Sequence, residues 1–141
     1  MDFKLELVLI PVADVDRAKA FYAENVGFSL DVDTSPVEGF RVVQMTPPGS
    51  ACSITVGTGI TDAAHGSYRG THLVVTDIEA ARAELAGRGV EVGLRHQTLR
   101  PREGGVAARR GSGPQRLRPF ADFSDPDGNT WVLQEVGHGG A

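Results

Sequence analysis

The sequence predicts an α+β fold built from two tandem βαβββ modules. One order of elements, strand–helix–strand–strand–strand, occurs twice along the 141 residues. The aspartates expected to cap the two helices, Asp14 and Asp77, occupy corresponding places in the two halves. A composition of 40% hydrophobic and 23% charged residues is typical of a soluble globular protein. Two such modules placed edge to edge give a curved mixed sheet, with helices on the outer face and a concave cleft suited to small molecules.

The first module is assigned to residues 4–58. Residues 5–12 form an apolar run that predicts a buried strand. Asp14 is a natural N-cap, and the helical spacing after it predicts a helix that ends at Gly27. Three further strands are expected at residues 28–32, 40–46 and 52–57.

The second module is assigned to residues 69–137, and the whole chain to one domain, residues 1–141. A strand at 71–75 precedes a helix at 78–85, which Thr76 or Asp77 caps. Further strands are expected at residues 90–92, 120–124 and 130–136. The turn DPDGN at 125–129 lacks the acids of a calcium loop, so it predicts a hairpin turn.

Residues 95–118 interrupt the second module as a basic insertion. This arginine-rich tract has one acid, Glu103, and is rich in glycine and proline. Its seven arginines are Arg95, Arg100, Arg102, Arg109, Arg110, Arg116 and Arg118. Its composition predicts a flexible loop, for which three roles stay open: a solvated insertion, a lid over a ligand site, and a nucleic-acid arm. The overall charge of −4 and the lack of stacking aromatics in the tract argue against the last.

Several protein classes conflict with the composition. The longest apolar run near the N-terminus, residues 7–10, is far shorter than the roughly 20 residues of a membrane span. No signal peptide is recognised. A single cysteine, Cys52, excludes an internal disulfide and a cysteine-rich metal site, and it suits the cytoplasm.

Three motifs in order resemble one family. They are LIPVADVDRAKAFY at residues 9–22 with Gly27 and Phe28 after it, LVVTDIEAA at 73–81 and FSDPDGN at 123–129. These motifs resemble the vicinal oxygen chelate superfamily, which includes glyoxalase I, extradiol dioxygenases and bleomycin-resistance proteins. The resemblance implies the paired-module fold, a ligand in the concave cleft and a homodimer, often with the cleft formed by both chains.

The resemblance also bears on metal binding. Metal-dependent members carry His or Glu at inward positions of the first, fourth, fifth and eighth strands, which the resemblance places near Leu7, Ile54, Gly70 and Val132. None of these side chains ligates a metal. His72 and Gln134 share a face with Gly70 and Val132, but a metal site needs three or four donors. We therefore expect no metal and no cofactor.

The expected ligand site is an apolar trough with a few polar points. Its candidate residues are Leu7, Leu9, Ile54, His72, Val74, Thr130, Val132 and Gln134. An imidazole at His72 can hydrogen-bond a ligand or act as an acid or base, and a purely structural role stays open.

The function expected first is metal-independent binding of a small hydrophobic or amphipathic organic molecule, resembling the antibiotic-sequestering members. A lyase, isomerase or dioxygenase of the same superfamily, and a module that binds other proteins, are the alternatives. No catalytic residue is assigned. The expected partners are a small-molecule ligand and a second copy of the chain, with no nucleic acid and no membrane.

Overall fold

The computed structural model describes residues 1–98 and 117–135 and confirms the α+β fold of two βαβββ modules. The first module consists of β1 (Leu7–Leu9), α1 (Val15–Ala20), a π-helical segment (Phe21–Val26), β2 (Ser29–Val37), β3 (Phe40–Thr46) and β4 (Ser53–Thr58). The second consists of β5 (Thr71–Val75), α2 (Ile78–Gly87), β6 (Gly93–Thr98), β7 (Leu117–Ser124) and β8 (Thr130–Glu135).

The strands form two four-stranded sheets. Sheet one has the order β1-β4-β3-β2, and sheet two has the corresponding order β5-β8-β7-β6. In each sheet the first two strands are parallel and the other pairs antiparallel. The sequence predicted one larger curved sheet. Among the described residues no strand pairing joins the two sheets, and side-chain packing and hydrogen bonds hold the modules together.

The helix boundaries follow local chemistry. Asp14 Oδ1 accepts a hydrogen bond from the Arg17 amide at 3.0 Å, and Asp77 Oδ1 accepts one from the Ala80 amide at 3.0 Å. The π-helical segment ends at Gly27, whose φ of 95° is a left-handed conformation that glycine adopts without a steric penalty. Both N-caps and this stop were expected from the sequence.

Some strand boundaries differ from the expectation. β1 is shorter than residues 5–12, and β6 begins at Gly93 rather than within 90–92. β2 continues beyond residue 32 through Pro36, which an edge strand tolerates because its outer amides need no partner. Residues 97–98 and 117–118, near the two ends of the arginine-rich tract, pair with each other in β6 and β7. The part of the tract between them lies outside the described residues.

One aromatic cluster connects the two modules. The ring of Tyr22, in the π-helical segment, lies 5.7 Å from Phe28 of its own module and 5.7 Å from Trp131 of the second. Trp131 also stacks on Phe123 at 6.1 Å. These side chains are buried and belong to a single hydrophobic core, so the helix-bearing faces of both sheets enclose the same interior.

A buried polar network crosses this core. The Tyr22 hydroxyl donates to Asp125 Oδ2 at 2.7 Å and accepts from Trp131 Nε1 at 2.9 Å. Burial, with the Asp125 carboxylate beside it, raises the pKa of Tyr22 far above its usual value, so the phenol stays protonated and donates. Asn129 Nδ2 donates to Asp125 Oδ2 and to the Pro11 carbonyl at 2.8 and 2.9 Å. The turn at 125–129 is thus a hairpin turn that also joins the segment after β1 to the second module.

Salt bridges tie β2 and β3 to the first helix. Asp33 Oδ2 accepts from Lys19 Nζ at 2.7 Å and from Arg41 NH2 at 3.0 Å. Arg41 and Lys19 together hold the pKa of Asp33 at about 2.

No helix in the described ranges is long and apolar enough to cross a membrane.

Candidate functional site

Sheet two has one face covered by α2 and the core, and one that carries no helix within the described residues. In the parallel pairing of β5 and β8, His72 lies beside Val132 and Val74 beside Gln134. The alternate residues Trp131 and Leu133 are buried on the other face. We call the first face the helix-free face of sheet two. It brings together the five candidate residues that the sequence assigned to this sheet: His72, Val74, Thr130, Val132 and Gln134.

His72 is exposed on this face and oriented by its own strand. Its Nδ1 lies 2.5 Å from the carbonyl oxygen of Gly70, which can only accept a hydrogen bond. Nδ1 therefore carries a proton. In the neutral ring, Nε2 is then left as an acceptor for a hydroxyl or amine of a ligand.

A groove of about 550 Å³ opens at the β6 side of sheet two. Its lining residues are Glu91, Val92, Gly93, Asp122, Phe123, Ser124 and Thr130. The strand register places Asp122, Ser124 and Thr130 on the helix-free face, with Asp122 beside Val132. The groove thus adds carboxylate and hydroxyl groups to the valines of β5 and β8. The sequence predicted an apolar trough with a few polar points, and the lining of this groove combines Val92 and Phe123 with polar side chains.

The helix-free face of sheet one is defined by the same register argument. Leu7 pairs with Ser53 and Leu9 with Thr55, so these four side chains share a face. Ile54 points to the opposite face and is only 4% exposed in the core. The sequence-based placement of Ile54 beside Leu7 and Leu9 is therefore corrected. Thr55 takes its position on the helix-free face.

Polar side chains lie in the middle of this face, on β3 and β4. Thr46 Oγ1 and Ser53 Oγ are 2.7 Å apart, and Thr46 also donates to Asp31 Oδ2. Gln44 pairs with Thr55 across β3 and β4. Thr55 was not among the residues expected at the site, although Ser53, Ile54, Thr55 and Val56 alternate polar and apolar residues in the way that separates the two faces of a strand.

The positions at which the resemblance places metal ligands hold no suitable donors. On sheet one they carry Leu7 and, after the correction, the neutral hydroxyl of Thr55; on sheet two they carry Gly70 and Val132. Within residues 1–98 and 117–135 there is no group of three or more His, Cys, Asp or Glu side chains that could hold a metal ion. The residues present do not fit a transition-metal site.

Comparisons with solved structures give close matches over nearly the whole chain. The chain is 33% identical to TnmS3, an antibiotic binding protein from Streptomyces sp. CB03234, with coverage of 95% of this chain and 96% of that one and a TM-score of 0.71. It is 34% identical to a glyoxalase/bleomycin resistance protein from the same organism, with coverage of 93% and 99% and a TM-score of 0.68. A superfamily member from Sphaerobacter thermophilus DSM 20745 is 26% identical, with coverage of 95% and 98% and a TM-score of 0.71.

The family comparison agrees with the structures. No curated protein gives a match. The model of one family matches residues 4–133. With this match, the paired βαβββ modules and the similarity to these structures, the chain belongs to the glyoxalase/bleomycin resistance protein/dioxygenase superfamily.

Proposed function

We propose that this chain binds a small hydrophobic or amphipathic organic molecule without a metal ion. The observation that carries the proposal is the helix-free face of sheet two. There Val74, 59% exposed, and Val132 lie beside the polar side chains His72 and Gln134. Exposed apolar residues next to a few fixed polar groups are typical of ligand sites.

The valines, His72 and the adjoining groove together indicate which chemical groups the ligand carries. An apolar ring system packs on Val74 and Val132, and a hydroxyl or amine donates to Nε2 of His72. Glu91, Ser124 and Thr130 line the adjoining groove, so a carboxylate and two hydroxyls are available there to polar groups of the ligand. The antibiotic binding protein TnmS3, at 33% identity, supports a ligand of antibiotic type.

A second copy of the chain completes the site in this proposal. The helix-bearing faces of both sheets enclose one core, so the helix-free faces lie on the sides of the sheets away from that core. Leu7 is 38% exposed on sheet one, and Val74 is more exposed on sheet two. A cleft with two walls needs a sheet from another chain, and twofold pairing brings sheet one of one copy against sheet two of the other.

The single cysteine suits a reducing cytoplasm, where we place the protein.

Thermal-shift screening against a panel of natural-product antibiotics tests the proposal. A ligand at one hundred times its dissociation constant adds about 2.7 kcal/mol to stability and raises the melting temperature. Treatment with EDTA leaves this shift unchanged, because binding uses no metal.

A pair of histidine variants locates the site. His72→Ala lowers the affinity of a panel hit about tenfold, the loss of roughly one hydrogen bond. His65→Ala, which alters an exposed histidine in the loop between β4 and β5, leaves the affinity unchanged. The proposal is wrong if no compound in the panel shifts the melting temperature, or if EDTA abolishes the shift.

A further inference from the structure

Thr55 carries a buried hydroxyl with no hydrogen-bond partner. The residue is 2% exposed, and in the described structure nothing bonds to its Oγ1. It lies on the helix-free face of sheet one, in a row that crosses all four strands from Leu9 through Thr55 and Gln44 to Val32. Leu9 and Gln44 are half-buried, so the hydroxyl lies beside side chains that reach solvent.

The neighbouring hydroxyls on this face are satisfied. Thr46 and Ser53 bond to each other, and Thr46 also bonds to Asp31. Leaving a buried hydroxyl without a partner is destabilising, and valine has nearly the same shape without this penalty. An unsatisfied polar group in a native fold therefore calls for an explanation, such as a ligand that supplies the partner.

We propose that the Thr55 hydroxyl is a specificity-determining contact for the ligand. It forms a hydrogen bond with a neutral hydroxyl or carbonyl group attached to an apolar ring system. The rest of the row is uncharged: the apolar side chains of Leu9 and Val32 flank Thr55 and the Gln44 amide. The row therefore matches a ligand with one neutral polar group between apolar parts. The inference rests on the proposed binding function and names a polar point on the wall opposite His72.

Two matched probes, naphthalene and 2-naphthol, test the inference, because they differ only by a hydroxyl. Fluorescence titration of the wild-type chain is expected to show about tenfold tighter binding of 2-naphthol. Thr55→Val removes this preference by weakening 2-naphthol while leaving naphthalene unchanged. Thr55→Ser retains the hydroxyl and the preference. Thr34→Val, which removes an exposed hydroxyl from the same face, retains it as well.

Stability and assembly measurements complete the test. Thr55→Val is expected to raise the urea midpoint, because it removes an unsatisfied polar group, and to leave the mass in light scattering unchanged. A lower midpoint would show that the hydroxyl has a structural partner, and a lower mass would show that the partner chain supplies it. Either result overturns the inference, as does an unchanged preference in Thr55→Val. If neither probe binds the wild-type chain, the proposed binding site fails before Thr55 is tested.

Discussion

Tyr22 links the two modules through a single hydroxyl, which bonds to both Asp125 and Trp131. In Tyr22→Phe, Trp131 Nε1 loses the one partner it has in the described structure, while Asp125 Oδ2 keeps its bond from Asn129. We expect a loss of about 1–3 kcal/mol in the free energy of unfolding, measured by urea denaturation. The control is Tyr68→Phe, since no hydrogen bond to the Tyr68 hydroxyl is found within the described ranges. Equal stabilities of the two variants would contradict this role for Tyr22.

The salt bridges of Asp33 predict a defined pH dependence. The pKa of this carboxyl is about 2 in the folded chain, against an ordinary value of 3.8. A depressed folded pKa stabilises the fold above the unfolded pKa, and the stabilisation is lost as pH falls through the folded pKa. The stability difference between the wild type and Asp33→Asn should therefore be present near neutral pH and disappear as the pH falls from 3.8 towards 2.

Urea midpoints across this pH range check the prediction. The difference should also shrink in high salt, because the ion pairs are partly exposed. Asp62→Asn serves as the control, because Asp62 is exposed and its side chain forms no ion pair in the described part of the chain. A wild-type advantage that persists at pH values below 2 would show that Asp33 acts by some other means.

At the scale of the elements, the two helix ends respond in opposite ways to added methyl groups. Gly27 has a φ of 95°, and an added Cβ would lie 3.1 Å from NH1 of Arg88. We expect Gly27→Ala to lose about 1–2 kcal/mol of stability. Gly87 is the last residue of α2, and among the described residues no atom lies within 4 Å of an added Cβ there. Gly87→Ala should gain up to about 1 kcal/mol by restricting the unfolded chain. Thermal denaturation of both variants checks the contrast, and a stabilising Gly27→Ala would contradict it.

Local chemistry explains which elements could be read from the sequence. Asp14 and Asp77 cap the helix that follows them directly, and Gly27 ends the helical segment that precedes it. Because these effects are local, the repeat of the two modules was predictable from the sequence. Alternation along β5 and β8 likewise placed His72 and Val132 on one face. Pairing between distant strands has no local signal, and a shift of one residue turns every side chain to the other face.

Such a shift explains the error at Ile54. β4 lies between β1 and β3 and is buried on both faces, so the alternation along its residues separates two faces without showing which of them carries Leu7 and Leu9. The extent of β2 was missed for a related reason. Its second half contains Ser35 and Pro36, which are more typical of turns than of strands, and only its place at the sheet edge permits the strand to continue.

For the whole molecule, assembly is the property that the proposed site depends on. Light scattering at micromolar concentration should give about twice the 14.9 kDa of the chain. Val74→Asp places a charge on the helix-free face of sheet two and should shift the mass towards the monomer. Leu30→Asp is the control: Leu30 is 46% exposed on the opposite face of sheet one, beside Met45 in the register. A wild-type mass near 14.9 kDa would reject the dimer.

The position of Trp131 makes the chain its own optical reporter. It is the single tryptophan among the 141 residues, and its indole lies at the junction of the modules, bonded to Tyr22. Any separation of the modules exposes the indole to water and shifts its emission to the red, even where each sheet keeps its secondary structure. Denaturation followed by tryptophan emission and by circular dichroism therefore distinguishes one cooperative unit from two. Coincident curves mean that neither module persists without the other.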